Sequence, residues 1–422
     1  MNRYTSHFFT SVGFLLTLAA AIILFAAAQA SAQCTEVVSG LRTALGITQS
    51  NQGNIIVSET GTVAPHSGRI SIVDPNGPIG NRRTLLDGLP SAINDVGEPS
   101  GPAGVFMRGR TLYLAIGIGD GILASGPGVS HGNPTPSSPI FSSILALHFS
   151  ANVENNTTGF TLTLAHQFAL ASGQTVTLSN GRHKLTVELI ANFPNFTSNE
   201  PPPGNVRGSN PFDLVAVGNR LYVTDGGQNT VRKVNISSGA FSTLVTFPNL
   251  PNPLFGTIGG PTVEPVPTGI AYSNGKLLVT LFSGFPFPPG VSRVRQVDPS
   301  TGADADFITG RKTAIDVIAL TSDDNEDGDN DNNQTGDHQD SEDGDTDWLV
   351  LQNASPFGPF FPPPGLVLRF ETPTSSPTTV AACLIRPTSM TFDEDSSKLY
   401  ITELGPAPSG GPSRVVSVAI AP

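Results

Sequence analysis

Short runs of five to seven apolar or alternating residues, broken by Gly, Asn and Pro, recur along most of the chain. Alternation over such lengths, rich in Val, Ile, Leu, Thr and Tyr, predicts strands rather than helices. The clearest unit has strands at 211–217 and 221–225 around a Gly218-Asn219 turn, then a strand at 231–235. It recurs at 267–271, Asn274-Gly275, 277–280 and 292–298, and again at 387–392, 398–403 and 413–418. Weaker copies run from 44 to 74, from 103 to 149 and from 315 to 370, which makes six units.

The second strands of these units carry Val57, Leu114, Val223, Val279, Val350 and Ile401, which lie 57, 109, 56, 71 and 51 residues apart. Strand-only repeats at this period predict an all-β chain, a six-bladed β-propeller. The interval of 71 falls to 44 without the 27 residues 321–347, which marks that segment as an insertion. The interval of 109 leaves a seventh blade open between about 141 and 207. Alternatively it holds one enlarged blade with long strands such as 160–169, and 184–190 reads as a strand or the start of a helix.

An open ring would leave strand edges free to pair with other chains, so the ends must close it. The last unit shows three strands, and 35–38 can supply the fourth. Before it, residues 13–28 are uninterrupted apolar and small positions, preceded by Arg3 and His7 and followed by Ala30-Ser31-Ala32. That grammar predicts a signal peptide over 1–32, with an uncleaved anchor as the alternative, and a single propeller domain over 33–422. Export is then to a periplasmic or extracellular space. Gln33 before Cys34 argues against lipid attachment. An oxidising compartment makes Cys34 and Cys383 a plausible disulfide; two separate thiols are the other option.

The 45 Gly and 37 Pro exclude a long helical bundle. Charged residues are 13% of the chain against a usual ~25%, so little of the surface need be charged. The net charge of -12 comes from one place: 12 of the 34 acidic residues fall in 321–347, which has no Lys or Arg, and outside it 22 acids face 22 bases. No basic surface points to nucleic acid, and no membrane partner is expected after signal cleavage.

Candidate chemistry falls in three places. In four-stranded blades the loops between second and third strands share a face with the blade-to-blade connections. Two of those loops, 283–290 and 356–365, are rich in Pro and Phe, and Phe285, Phe287, Phe357 and Phe360 could form an apolar rim for a small molecule, polymer or protein. Equally, the rings could tuck into the blade tops. Near the axis Asp213 and Asp316 occupy equivalent positions of innermost strands, and second strands end in Glu59, Asp225 and Glu403. Converging carboxylates could bind Ca²⁺, or could cap turns by accepting backbone N–H groups.

The third place is the acidic insertion. Asp323, Asn325, Asp327 and Asp329 alternate as calcium ligands do, with Gly328 sixth. The match fails at Gln334, where a bidentate Glu belongs, and at Asn330, where an apolar anchor belongs. A disordered, self-repelling loop is the competing reading. Two further matches are discounted. Gly128-Val129-Ser130-His131-Gly132 lies among prolines without the strand and helix of a nucleophile elbow, and the glycine fingerprint at 119–124 has no helix after it.

The stretches 208–215, 265–271 and 283–290 with Arg293-Val294 resemble the ScyD/ScyE family of exported propeller-like proteins. The resemblance covers most of the mature chain; it is weakest over 117–207 and does not include the acidic insertion. It implies no settled activity and no catalytic residues. It also looks like NHL-type propellers, whose relatives range from binding platforms to lactonases and quinone-dependent dehydrogenases. Two functions are therefore expected to compete. One is a binding or scaffold protein working through the Pro/Phe face. The other is a calcium-dependent hydrolase or quinone-type oxidoreductase using Asp213 and Asp316 in the central channel.

Overall fold

The computed structural model describes residues 32–199, 201–321, 346–405 and 412–420. Six antiparallel sheets stand in a ring, and their innermost strands touch in cyclic order, the last against the first. Blade one comprises Ala44–Gln49, Ile55–Glu59, Gly68–Val73 and Arg82–Leu89. Blade three comprises Pro211–Val217, Arg220–Asp225, Thr230–Asn235 and Phe241–Thr246; blade four, Pro267–Ser273, Lys276–Leu281, Ser292–Val297 and Asp304–Arg311. Blade five is built from Ala314–Thr321, Thr346–Gln352, Gly365–Phe370 and Thr378–Leu384.

Blade six closes the ring as its three-stranded repeat requires. Pro387–Asp393, Lys398–Glu403 and Ser413–Ala419 are completed by Thr35–Leu41, which runs antiparallel to the last strand with Thr35 opposite Ser417 and Leu41 opposite Ser413. Just before that strand, Cys34 is disulfide-bonded to Cys383 on the outer strand of blade five. Among the described residues no helix is long and apolar enough to cross a membrane. The expected signal peptide lies outside the described residues, apart from Ala32.

Blade two explains the long interval, and there is no seventh blade. Its strands are Pro102–Arg108, Thr111–Ile116, Ser143–Phe149 and His183–Asn192, with Val176–Asn180 added outside. The ambiguous 184–190 stretch is thus a strand. The expected long strand at 160–169 is not there. Phe160–Thr161 pairs in parallel with Leu86 and Asp87 of blade one, and Leu164–Ala171 is a helix. Thr163 starts that helix with a capping box: its side chain accepts the His166 N–H, and the His166 ring accepts the Thr163 N–H. Phe160, Leu162 and Leu170 pack into the core shared by blades one and two, so local capping and tertiary burial together overrode the strand pattern.

The second strand of each blade is sandwiched between neighbours, which is why Ile55–Glu59 is buried at every position. Four second strands carry a hydroxyl near their ends that reaches the next blade. Thr280 donates to Ile315 O at 3.1 Å, Thr402 to Leu45 O at 3.3 Å and Thr224 to Thr268 O at 2.5 Å, while Ser58 donates to Ala103 O. Each satisfies a carbonyl of an innermost strand that would otherwise face a dry seam.

Candidate functional site

The inner strands share one register. The third residue of each forms a ring around the axis: Gly46, Gly104, Asp213, Gly269, Asp316 and Ser389. Glycine here is a packing requirement. A Cβ on Gly269 would meet the Asp316 Cα at 2.6 Å and its Oδ1 at 2.7 Å, and one on Gly104 would meet the Asp213 Cα at 2.5 Å. Each aspartate therefore leans against a glycine of the preceding blade, and each reaches forward to the next one. Asp213 Oδ2 accepts the Ile270 N–H at 3.1 Å, and Asp316 Oδ2 accepts the Met390 N–H at 2.8 Å and the Ser389 hydroxyl at 3.0 Å.

The two carboxyls line the same narrow part of the axis, with Leu45 and Phe212 beside them. From this level a cavity of about 440 Å³ runs toward the turns between first and second strands. Apolar side chains such as Val105, Val215, Ile270, Ile318 and Met390 line it, Glu394 adds a further carboxylate, and its exposed surface is as polar as it is apolar. Among the described lining residues there is no Lys, Arg or His.

Burial dominates the electrostatics. It lifts Asp213 well above the usual carboxylate range, the neighbouring Asp316 charge adds to this, and the Ile270 and Leu214 N–H groups oppose it. Burial also raises Asp316 to about 6, against hydrogen bonds from the Met390 N–H, the Ser389 hydroxyl and the Val317 N–H. Both carboxyls therefore take up protons more readily than an exposed aspartate, and they titrate as a coupled pair. Chemically the site is two buried carboxyls at the narrow end of a cavity with many apolar side chains in its wall.

The pair falls short of a calcium site. Ca²⁺ takes ~6–8 oxygens, and three acceptor positions of Asp316 are already used by Val317, Ser389 and Met390. Among the described residues no group of three or more His, Cys, Asp or Glu is arranged to hold a metal ion. The calcium residues expected in the insertion, Asp323, Asn325, Asp327 and Asp329, lie outside the described residues.

Glu59, Asp225 and Glu403 do not join the axial pair. Each accepts a backbone N–H from a blade-to-blade connection: Glu59 from Arg42 at 2.6 Å, Asp225 from Asn210 at 2.7 Å and Glu403 from Ile385 at 2.7 Å. Each also pairs with an arginine on the adjacent third strand, respectively Arg69, Arg232 and Arg414. These buried pairs tie loops to blades. In blade five the neutral Gln352 takes the same place, accepting the Lys312 N–H at 3.2 Å.

The Pro/Phe loops lie on the face opposite the cavity. The loops of blades four and five meet there in one aromatic cluster: Phe287 is 4.4 Å from Phe361 and 6.0 Å from Phe282, and Phe285 is 6.0 Å from Phe360. The rings differ in exposure. Phe287 is half-buried, whereas Phe285, Phe357 and Phe360 are 56%, 78% and 46% exposed. Two contacts hold the loops together. The Phe360 N–H donates to Pro286 O at 3.2 Å, and the buried Lys312 ammonium donates to Gly358 O at 2.5 Å. Burial lowers the Lys312 pKa. Sequence reasoning missed Lys312; its only signal was a lysine between two strands of adjacent blades.

No family model matches the chain, and no curated protein matches it. Solved structures that resemble it do so at the level of overall shape. Regucalcin, a calcium-binding protein from Agrobacterium tumefaciens, has a TM-score of 0.48 at 9% identity, covering 92% of this chain and 94% of its own. A catalytically inactive virginiamycin B lyase from Staphylococcus aureus with quinupristin has a TM-score of 0.42 at 12% identity, covering 92% and 99%. The PQQ-bound aldose sugar dehydrogenase of Streptomyces coelicolor has 0.42 at 11%, covering 91% and 96%. Likeness at this level carries no activity across.

Proposed function

We propose that this chain is an exported binding protein that holds a small organic molecule in its axial cavity. The observation that carries this reading is the placement of Asp213 and Asp316. Where four blades set glycine or serine around the axis, blades three and five set carboxyls, bury them beside a cavity and supply no basic side chain among the described residues. An unpaired buried carboxyl works against folding, so its presence speaks for a ligand that repays it. A concave site that combines apolar side chains with a few convergent polar groups is the usual form of a small-molecule site. Export, and a place among the ScyD/ScyE proteins, belong to the same reading; the apolar run at 13–28 and the stretches 208–215, 265–271 and 283–290 support them.

The test is a fragment screen by ligand-observed NMR on the purified mature chain and on Ala271→Phe, which places a ring into the cavity. Fragments that bind the first and not the second support the axial site. Fragments that bind both equally, or none at all, sink it.

A second reading has its own observation. Phe285, Phe357 and Phe360 are exposed together on one rigid loop cluster, which suits an apolar or aromatic partner, whether small molecule, polymer or protein. Calcium-dependent hydrolysis or quinone-type oxidation at Asp213 and Asp316 is the weaker alternative, because the pair offers a metal too few oxygens.

A further inference from the structure

We propose that the ligand of the axial cavity is an organic monocation, its ammonium head set on Asp213 and Asp316 and its apolar body along the inner strands. This rests on the axial cavity being the binding site.

Three observations select this class. The first is charge. The only charged side chains among the described lining residues are Asp213, Asp316 and Glu394, all acidic, so an anionic ligand would be repelled and a neutral one would leave Asp316 unpaired. The second is the count of open acceptor positions. Asp316 Oδ1 takes the Val317 N–H at 2.8 Å, and Oδ2 takes both the Ser389 hydroxyl and the Met390 N–H. Asp213 takes the Ile270 N–H on Oδ2 and also the Leu214 N–H. A carboxylate offers about four acceptor positions, so the pair retains a few, which suits an ammonium with its three N–H donors. A hard divalent cation would need ~6–8 oxygens and would have to strip these bonds.

The third observation is the wall. Phe106, Val215, Ala271, Tyr272, Ile318 and Met390 line the cavity beyond the pair, and an inorganic ion would touch none of that surface usefully. An alkyl or aryl body would cover it, gaining roughly 25 cal/mol for each Å² of apolar area removed from water. Aromatic rings in the wall also favour a cation over a neutral isostere.

Binding a cation to this pair has a proton consequence. Burial raises both carboxyls, and a cation seated between them favours their ionised forms. The other groups facing the site are Glu394 and Tyr272, on the inner region of blade six and on blade four. Affinity should then fall as the medium becomes more acidic through about pH 6, where Asp316 takes up its proton.

The experiment is isothermal calorimetry on the mature chain with 2-phenylethylamine, its neutral isostere 2-phenylethanol, and calcium chloride. The amine should bind, with the alcohol about tenfold or more weaker, the ratio that a hydrogen bond to a charged group carries. Repeating the amine titration at pH 6 in two buffers of different ionisation enthalpy should show net proton release on binding, a readout that needs no variant. Asp316→Asn, checked for folding by circular dichroism, should lose the preference for the amine. Equal binding of amine and alcohol, both abolished by Ala271→Phe, overturns the monocation and leaves the axial site standing. Calcium heat that Asp316→Asn removes also overturns it. No heat from either organic probe overturns the monocation and counts against the axial site as well.

Discussion

Asp316 accepts the backbone N–H of Met390 at 2.8 Å across the seam between blades five and six, while Gly269 of blade four leaves room behind it. The same three-blade arrangement repeats two blades earlier, with Gly104 behind Asp213 and the Ile270 N–H in front. Each axial carboxyl is thus held by the backbone of its neighbours, and the ring cannot tighten or open at these points without moving an acid.

Gly269→Ala should be disruptive. Its Cβ would lie 2.6 Å from the Asp316 Cα, a backbone contact that no rotamer change relieves. We expect a loss of about 1–3 kcal/mol or more, read as a lower urea midpoint. Gly126→Ala is the control: its Cβ would meet nothing within 4 Å, and its midpoint should hardly move. Equal effects at the two positions would refute the ring geometry.

The pH dependence follows from the direction of the axial shifts. Both carboxyls titrate higher in the folded chain than the 3.8 of an ordinary aspartate, Asp316 at about 6. Between those values the folded state holds more protons, so this pair favours folding in acid, and that advantage is lost as pH rises through about 6. Relative to wild type, the double variant Asp213→Asn, Asp316→Asn should gain in melting temperature from pH 4 to pH 7, by roughly 2–4 °C for ~1 kcal/mol in a chain of this size. A difference that stays constant with pH would show that the pair is not perturbed.

Closure of the ring rests on few residues. The Cys34–Cys383 bond spans 349 positions, and on the chain-entropy model its loss costs about 6 kcal/mol. Cys34→Ser with Cys383→Ser should lower the melting temperature, and deletion of 33–40, which takes most of the closing strand Thr35–Leu41, should lower it further. An unchanged melt after the deletion would contradict the paired strand.

The hydroxyl seam predicts a smaller effect. Thr402→Val keeps the shape but removes the hydroxyl's donation to Leu45 O and its acceptance of the Ser389 N–H, leaving buried backbone groups unmet. A loss of about 1–3 kcal/mol in chemical denaturation is expected. The solvent-facing change Thr243→Val, on the outer strand of blade three, should be near neutral.

The acidic segment makes a separate prediction. If Asp323, Asn325, Asp327 and Asp329 bind Ca²⁺, calorimetry at millimolar calcium should give heat that a deletion of 321–346 removes. Equal heats from the two proteins would clear the segment of that role.

Much of the architecture was legible before any coordinates. Strand, turn and strand are local patterns, so the six units and the missing fourth strand of blade six could be read from short stretches and their spacing, while the Cys34–Cys383 bridge was one of two options left by expected export and a pair of cysteines. The equivalence of Asp213 and Asp316 was legible too, because both sit third in an inner strand. Aligning all six such strands would also have exposed the glycines beside them.

What only the tertiary structure decided concerns partners far apart in the chain. Glu59, Asp225 and Glu403 look like Asp213 in sequence, yet they face arginines and loop N–H groups while Asp213 faces a cavity; the difference lies in which neighbouring blade comes near. The 150–182 insertion likewise took its shape from packing onto blade one. Periodicity reports which way a side chain points from its own strand. Whether it meets an arginine, a backbone or open space depends on a strand some fifty residues away, and that is settled only when the ring closes.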